Sequence, residues 1–202
     1  MITESDASAG TGPLDEEQRA RAGIYSLLGA LLAAPPDAEL LDSLRNLQPG
    51  TGVLAPVWEQ LAQAARQARP AQLQEEYHAL FIGLGRGELV PYASWYLTGF
   101  LMEKPLAQLR ADLRRIGFAR QDGVAEPEDH AAAICEIMAM IIVENRLYLT
   151  EQSTFFTVYV GSWLPRFFQD VGGAESADFY RAVGRLGSRL MDVEQQYFAM
   201  PA

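Results

Sequence analysis

Cysteine is almost missing from this chain, with Cys135 the single example in 202 residues. An internal disulfide is therefore impossible. Without a CxxC pair or a Cys/His cluster there is no zinc or iron–sulfur ligand set, so no metal is expected and a reducing compartment is. Histidine is sparse too, with only His78 and His130 to carry acid–base chemistry. Basic side chains are the minority, 16 against 26 acidic, for a formal net charge of −10. That sign argues against nucleic acid or an acidic membrane as partner and favours a basic one. Long apolar runs are absent: the stretch Ala131 to Val143 is interrupted by Glu136 and too short to span a bilayer, so it reads as a buried helix. The start, MITESDASAGTGPLDEE, has neither the basic nor the apolar region of a secretory signal. Residues 1–14 read as a disordered tail and 15–202 as one helical domain, soluble, cytoplasmic and without stable membrane insertion.

No window alternates with a period of two, so no strand is expected. What is present is helical periodicity cut by proline and glycine. Hydrophobic residues make up 49% and aromatics 10%, enough for a real core. Ile24, Leu27, Leu28, Leu31 and Leu32 stripe a first helix that Pro35-Pro36 ends. Asp37 caps a second, Leu54 to Gln67 forms a third, and Pro70 starts a fourth. Lys104 to Ile116 is striped by Leu106, Leu109 and Leu113, with Arg110, Arg114 and Arg115 on a solvated face. A long helix is expected from Pro127 to about Leu149. Ser153 then caps another, which Pro165 divides, and Ala174 to Phe198 is the last. The expected fold is all-α, a single-domain bundle of about nine helices.

Two stretches exceed what scaffold needs. Tyr77 to Tyr96 reads YHALFIGLGRGELVPYASWY. Gly83, Gly85 and Gly87 break the preceding helix and read as a hinge, while Pro91 suits the first turn of a new helix from about Tyr92 to Phe100. The GxGxG pattern is no phosphate cradle, because no strand precedes it and no Gly-Lys-Ser/Thr follows. The second stretch, Glu126-Pro127-Glu128-Asp129-His130, has the proline and carboxylates of a helix start. At the positive end of that helix His130 should be held largely neutral. A small helical enzyme using His130 and Asp129 as an acid–base pair is the alternative reading. It lacks a nucleophile: GxSxG and HExxH are absent and Cys135 falls on a buried stretch.

The order of these pieces resembles the TorD/DmsD/NarJ family of redox-enzyme maturation chaperones. The pieces are a first helix with Arg21, Ile24, Tyr25 and Leu28, then Tyr77-x-x-Leu80-Phe81-x-Gly83, then Val90-Pro91-Tyr92-x-Ser94-x-Tyr96, then Pro127-x-Asp129-His130. The resemblance implies a cytoplasmic helical chaperone, not an enzyme. Such a protein binds the precursor of a molybdopterin-containing oxidoreductase, at its twin-arginine signal peptide or a mature region of the catalytic subunit, and delays export until the cofactor is inserted. It implies a monomer or a domain-swapped dimer. It also carries a suggestion of weak GTP binding that no phosphate motif here supports, so no cofactor is assigned. Leu80, Phe81, Pro91, Ser94, Tyr96, Pro127, Asp129 and His130 match the family's peptide-binding motifs, and Tyr92 and Trp95 lie among them. A twin-arginine leader is cationic and then apolar, so its receptor needs an apolar groove rimmed by carboxylates. Leu80, Phe81, Tyr92 and Trp95 are candidates for that groove, and Glu76, Glu88, Glu128 and Asp129 for the rim.

Overall fold

A computed structural model describes residues 14–84, 86–118, 126–144 and 149–200. Among them the regular structure is helical: α1 (Glu16–Ala33), α2 (Ala38–Arg45), α3 (Ala55–Gln67), α4 (Pro70–Tyr77), α5 (Ala93–Thr98), α6 (Lys104–Arg115), α7 (Ala131–Glu144), α8 (Leu149–Phe155), α9 (Leu164–Gly173) and α10 (Phe179–Ala199). Single π-helical turns, His78–Ile82 and Phe156–Val160, extend α4 and α8. The expected tail but for Leu14, Gly85, the polar turn at 119–125 and the end of the long helix at 145–148 lie outside the described residues.

Local chemistry accounts for most boundaries. Asp15 and Gln18 form a capping box at α1, and Asp37 accepts from the Leu40 amide at α2. Proline stands in the first turn of α3, α4, α6 and α9, where its missing N–H costs nothing. Pro165 thus starts α9 and divides the Ser153 region from it, as its position in the sequence suggests. Four boundaries differ from expectation. The long helix begins at Ala131, because Pro127 to His130 form a turn instead of a first helical turn. Pro91 precedes α5, where its carbonyl is used in pairing with another segment. Ser153 lies inside α8 and caps nothing. The last helix starts at Phe179, five residues later than its apolar pattern begins.

The core sits around α7, whose Ala131, Ala132, Ile134, Cys135, Ile137, Met138, Ala139, Ile141 and Ile142 are buried. Helix α1 packs along α7, while α10 packs along α9 and α3. Helices α5 and α6 pack chiefly on each other. Tyrosines close the far end of α1: Tyr77 Oη donates to the carbonyls of Leu32 (3.1 Å) and Ala33 (2.9 Å), and Tyr180 Oη to that of Leu31 (2.9 Å). These satisfy carbonyls that a helix end leaves open. Among the described residues no helix is long and apolar enough to cross a membrane.

Candidate functional site

The π-turn after α4 brings the first motif together. Gly83 donates to the His78 carbonyl at 2.7 Å, closing the wider ring. Phe81 then meets the rings of Tyr77 (5.2 Å) and Tyr180 (5.5 Å), both edge to face. Leu80 is fully buried. The glycines act by allowing close approach. Gly83 sits at φ +63°, and a Cβ there would stand 2.1 Å from the Arg86 carbonyl oxygen; one on Gly87 would stand 2.5 Å from the Leu80 carbonyl oxygen. At Gly83 and Gly87 tight packing against backbone thus replaces the hinge expected from Gly83, Gly85 and Gly87, of which Gly85 lies outside the described residues. Glu88 and Leu89 amides donate back to Ala79 and Leu80.

The second and third motifs are zipped to each other. Tyr92 and His130 form an isolated antiparallel bridge, with Ala131 donating to the Pro91 carbonyl (2.8 Å) and Ala93 to the Asp129 carbonyl (2.9 Å). The Asp129 carboxylate, 1% exposed, accepts from the Ser94 amide at 3.0 Å and so caps α5 from a distant segment. His130 Nδ1 accepts from the Ala132 amide at 3.1 Å, capping α7. That bond requires the neutral imidazole with its proton on Nε2, and burial holds the histidine below its ordinary pKa against the opposing pull of Glu126 and Asp129. The Tyr92 ring stands edge-on to His130 at 5.0 Å and its hydroxyl donates to Glu126. Pro127, half-buried, accepts from the His130 amide. Asp129 and His130 are therefore spent on capping, and the acid–base alternative fails for lack of a free pair. Cys135 is fully buried, and burial pushes its thiol far up, so it supplies no nucleophile.

The structure sorts the candidate residues by access. Leu80, Pro91, Ser94, Asp129 and His130 are buried supports, and Leu80 in particular lines no groove. Tyr92, Trp95 and Tyr96 reach solvent. Trp95 and Tyr96, but not Tyr92, border a pocket of about 210 Å³ that also takes in Leu89, Val90, Arg86, Glu88, Arg166 and Asp170. Tyr96 donates to Asp170 at 2.9 Å, and its ring packs on Trp163 and Phe167. The carboxylates proposed as a rim are engaged within the protein. Glu76 accepts from the Asp178, Phe179 and Tyr180 amides at 2.7, 3.2 and 2.7 Å, capping α10. Glu88 accepts from Glu175 (2.6 Å) and Ser176 (3.0 Å); burial opposes its ionisation, but those amides outweigh it and hold the carboxyl below its usual range. Glu128 pairs with Arg110 at 2.8 Å.

Sequence reasoning missed Asp170, Arg166 and Arg86, which no local pattern joins to Tyr96. It also missed the segment leaving α5, where Phe100 (68% exposed), Leu101 and Met102 (75%) stand in water, with Met102 at φ +57°. Non-glycine residues seldom hold that backbone conformation, and such exposed apolar side chains have no packing role in the chain itself. Among the described residues no cluster of His, Cys, Asp or Glu could hold a metal ion.

Comparison with known proteins places this arrangement. The family model described as nitrate reductase delta subunit matches residues 49–169, which contain all three zipped segments. The chain is 27% identical over 203 residues to the chaperone protein TorD of Aliivibrio fischeri, covering 89% of this chain and 94% of that one. It is 29% identical over 187 residues to TorD of Shewanella loihica, covering 83% and 88%. A crystal structure of a redox enzyme maturation protein from Archaeoglobus fulgidus shares the fold, with a TM-score of 0.61 at 20% identity over 91% of this chain and 98% of that one. The chain belongs to the nitrate reductase delta subunit family, the TorD/NarJ family of redox-enzyme maturation chaperones, and is not an enzyme.

Proposed function

We propose that this chaperone acts in the cytoplasm and binds the precursor of a molybdopterin-containing oxidoreductase, at its twin-arginine leader or at the apo catalytic subunit, holding it back from export until cofactor insertion is complete. The observation that carries the reading is the accessible aromatic pocket of Trp95 and Tyr96, which stands on motif segments lying inside the matched family region. Aromatic faces beside carboxylates suit a guanidinium, and the exposed Leu97, Phe100, Leu101 and Met102 suit the apolar stretch that follows it in such a leader. The net charge of −10 favours the encounter with a cationic segment.

The experiment is a pulldown from the native cell with the folded full-length chain as bait. Recovery of a molybdopterin-containing catalytic subunit or its leader is expected, and its absence from the eluate would overturn the reading. Trp95→Ala is the site variant, expected to cut capture at least about tenfold, since central aromatic anchors carry 2 kcal/mol or more. Phe81 and His130 are poor probes, because their loss strikes packing and capping first.

A further inference from the structure

The pocket already contains an answer to what it takes. The Arg86 guanidinium carbon lies 5.3 Å from the Trp95 ring centroid, and that of Arg166 lies 5.9 Å from the Tyr96 ring centroid. Neither guanidinium has a hydrogen-bond or ion-pair partner among the described residues. Two arginines thus sit on two adjacent aromatic faces, within a pocket whose carboxylates are Glu88 and Asp170. An exposed arginine usually extends into water, since the stacking it gains on a ring is small. Here both guanidinia sit over rings in the same pocket.

We propose that the Trp95–Tyr96 pocket is a subsite for the arginines of a client segment, and that Arg86 is a built-in stand-in for one of them, which the client displaces. The inference rests on the client-binding reading above and adds its control. With Arg86 in place the pocket holds two arginines against two carboxylates and is balanced. When Arg86 swings out, a Trp95 face is bare and the pocket is left with one cation against two carboxylates, Glu88 held by the Glu175 and Ser176 amides and Asp170 by Tyr96, so the vacancy has the shape of a guanidinium and a net negative surround. Release needs little: Gly83 packs on the Arg86 carbonyl and Gly87 on the Leu80 and Phe81 backbone, and the Arg86 side chain leaves by rotation of its own bonds. Arg166 sits in the first turn of α9 beside the Tyr96–Asp170 bond and stays as the wall of the second seat. Lysine fits less well than arginine, because its ammonium is more strongly hydrated and has no plane to stack.

The test titrates acetyl-Arg-Arg-amide and acetyl-Lys-Lys-amide into wild type, Arg86→Ala and Trp95→Phe. The Trp95 indole N–H resonance, assigned by its loss in Trp95→Phe, reports the site. Arg86→Ala should bind the arginine dipeptide about two- to fivefold more tightly than wild type, the gain expected from removing one exposed cation–π competitor. The lysine dipeptide should bind more weakly to both, and Trp95→Phe, which lacks the reporter and is followed by titration calorimetry, should bind the arginine dipeptide more weakly than wild type. Equal or weaker binding by Arg86→Ala, a Trp95 resonance that does not move, or no dipeptide binding by either protein would overturn the inference. The pulldown separates this from the parent reading. Client capture by wild type with no gain in Arg86→Ala removes only the stand-in. Tighter dipeptide binding by Arg86→Ala, with no client captured, removes only the precursor.

Discussion

Glu194 lies on the last long helix and has no exposed surface, yet it is ion-paired. Its two oxygens take the Arg21 Nε and Nη2 at 2.6 and 2.8 Å, and Tyr25 donates to it at 3.1 Å. The guanidinium is also stacked on Tyr197, 4.0 Å from its centroid. Removing one partner of such a pair strands the other charge away from water, so Glu194→Ala should cost roughly 3–5 kcal/mol, measured as a shift in urea midpoint. Arg21 stood out in the sequence, but its partner is 173 residues away and nothing local names it. His130 gives a second residue-level expectation. Because burial lowers its pKa, the folded chain binds this proton later than the unfolded chain does. Its contribution is intact above the unfolded value of about 6.5 and is lost as pH falls below it, by up to about 1.4 kcal/mol per pH unit. His130→Asn keeps an acceptor for the Ala132 amide and removes the titration, so urea unfolding at pH 5, 6 and 7.5 should show a flatter profile in the variant.

Two glycines decide how α9 and α10 meet. A Cβ on Gly184 would lie 2.4 Å from the Gly172 amide nitrogen and 2.8 Å from the Phe168 carbonyl oxygen, while one on Gly187 would enter the Phe168 ring. Backbone cannot step aside as a side chain can, so Gly184→Ala should destabilise by roughly 1–3 kcal/mol through forced separation of the helices. Gly23, inside α1, has nothing within 4 Å of its Cβ position. Gly23→Ala should therefore stabilise by about 0.5–1 kcal/mol, the helix propensity alone. Thermal unfolding of the two variants should move in opposite directions. Helix identity was legible here because apolar spacing, prolines and caps are local. Which helix a Gly-x-x-Gly faces is not local, nor is the π-turn at His78–Ile82, which depends on Phe81 settling between Tyr77 and Tyr180. The motif stretches stand out in the sequence by their glycines, prolines and aromatics, but Glu76 and Glu88, expected on a ligand-facing rim, accept from amides about a hundred residues later. An exposed carboxylate and a long-range cap look identical until the chain folds.

Across the whole molecule, burial is uneven in a way that matters to a chaperone. The α1–α7 and α9–α10 contacts form the closed core, while α5 and α6 are joined to it by fewer elements and carry the exposed Phe100 to Met102 segment. Local opening free energy follows such differences in buried contact, so α5 should exchange its amide protons faster than α10. The Asp129 carboxylate is the buried polar tie on α5 that a side-chain change can remove, through the Ser94 amide, beside the Ala93 bond to the Asp129 carbonyl and the Tyr96 bond to Asp170. A buried hydrogen bond to a charged group is worth about 1.5–3 kcal/mol, so Asp129→Ala should speed exchange at residues 93–98 by roughly ten- to a hundredfold. Exchange in α10 should stay within error of wild type, because its cap comes from Glu76 instead. Equal acceleration in both helices would mean that the motif residue supports the global fold, not the aromatic platform alone. The separate result would show that the aromatic platform can loosen while the core remains shut.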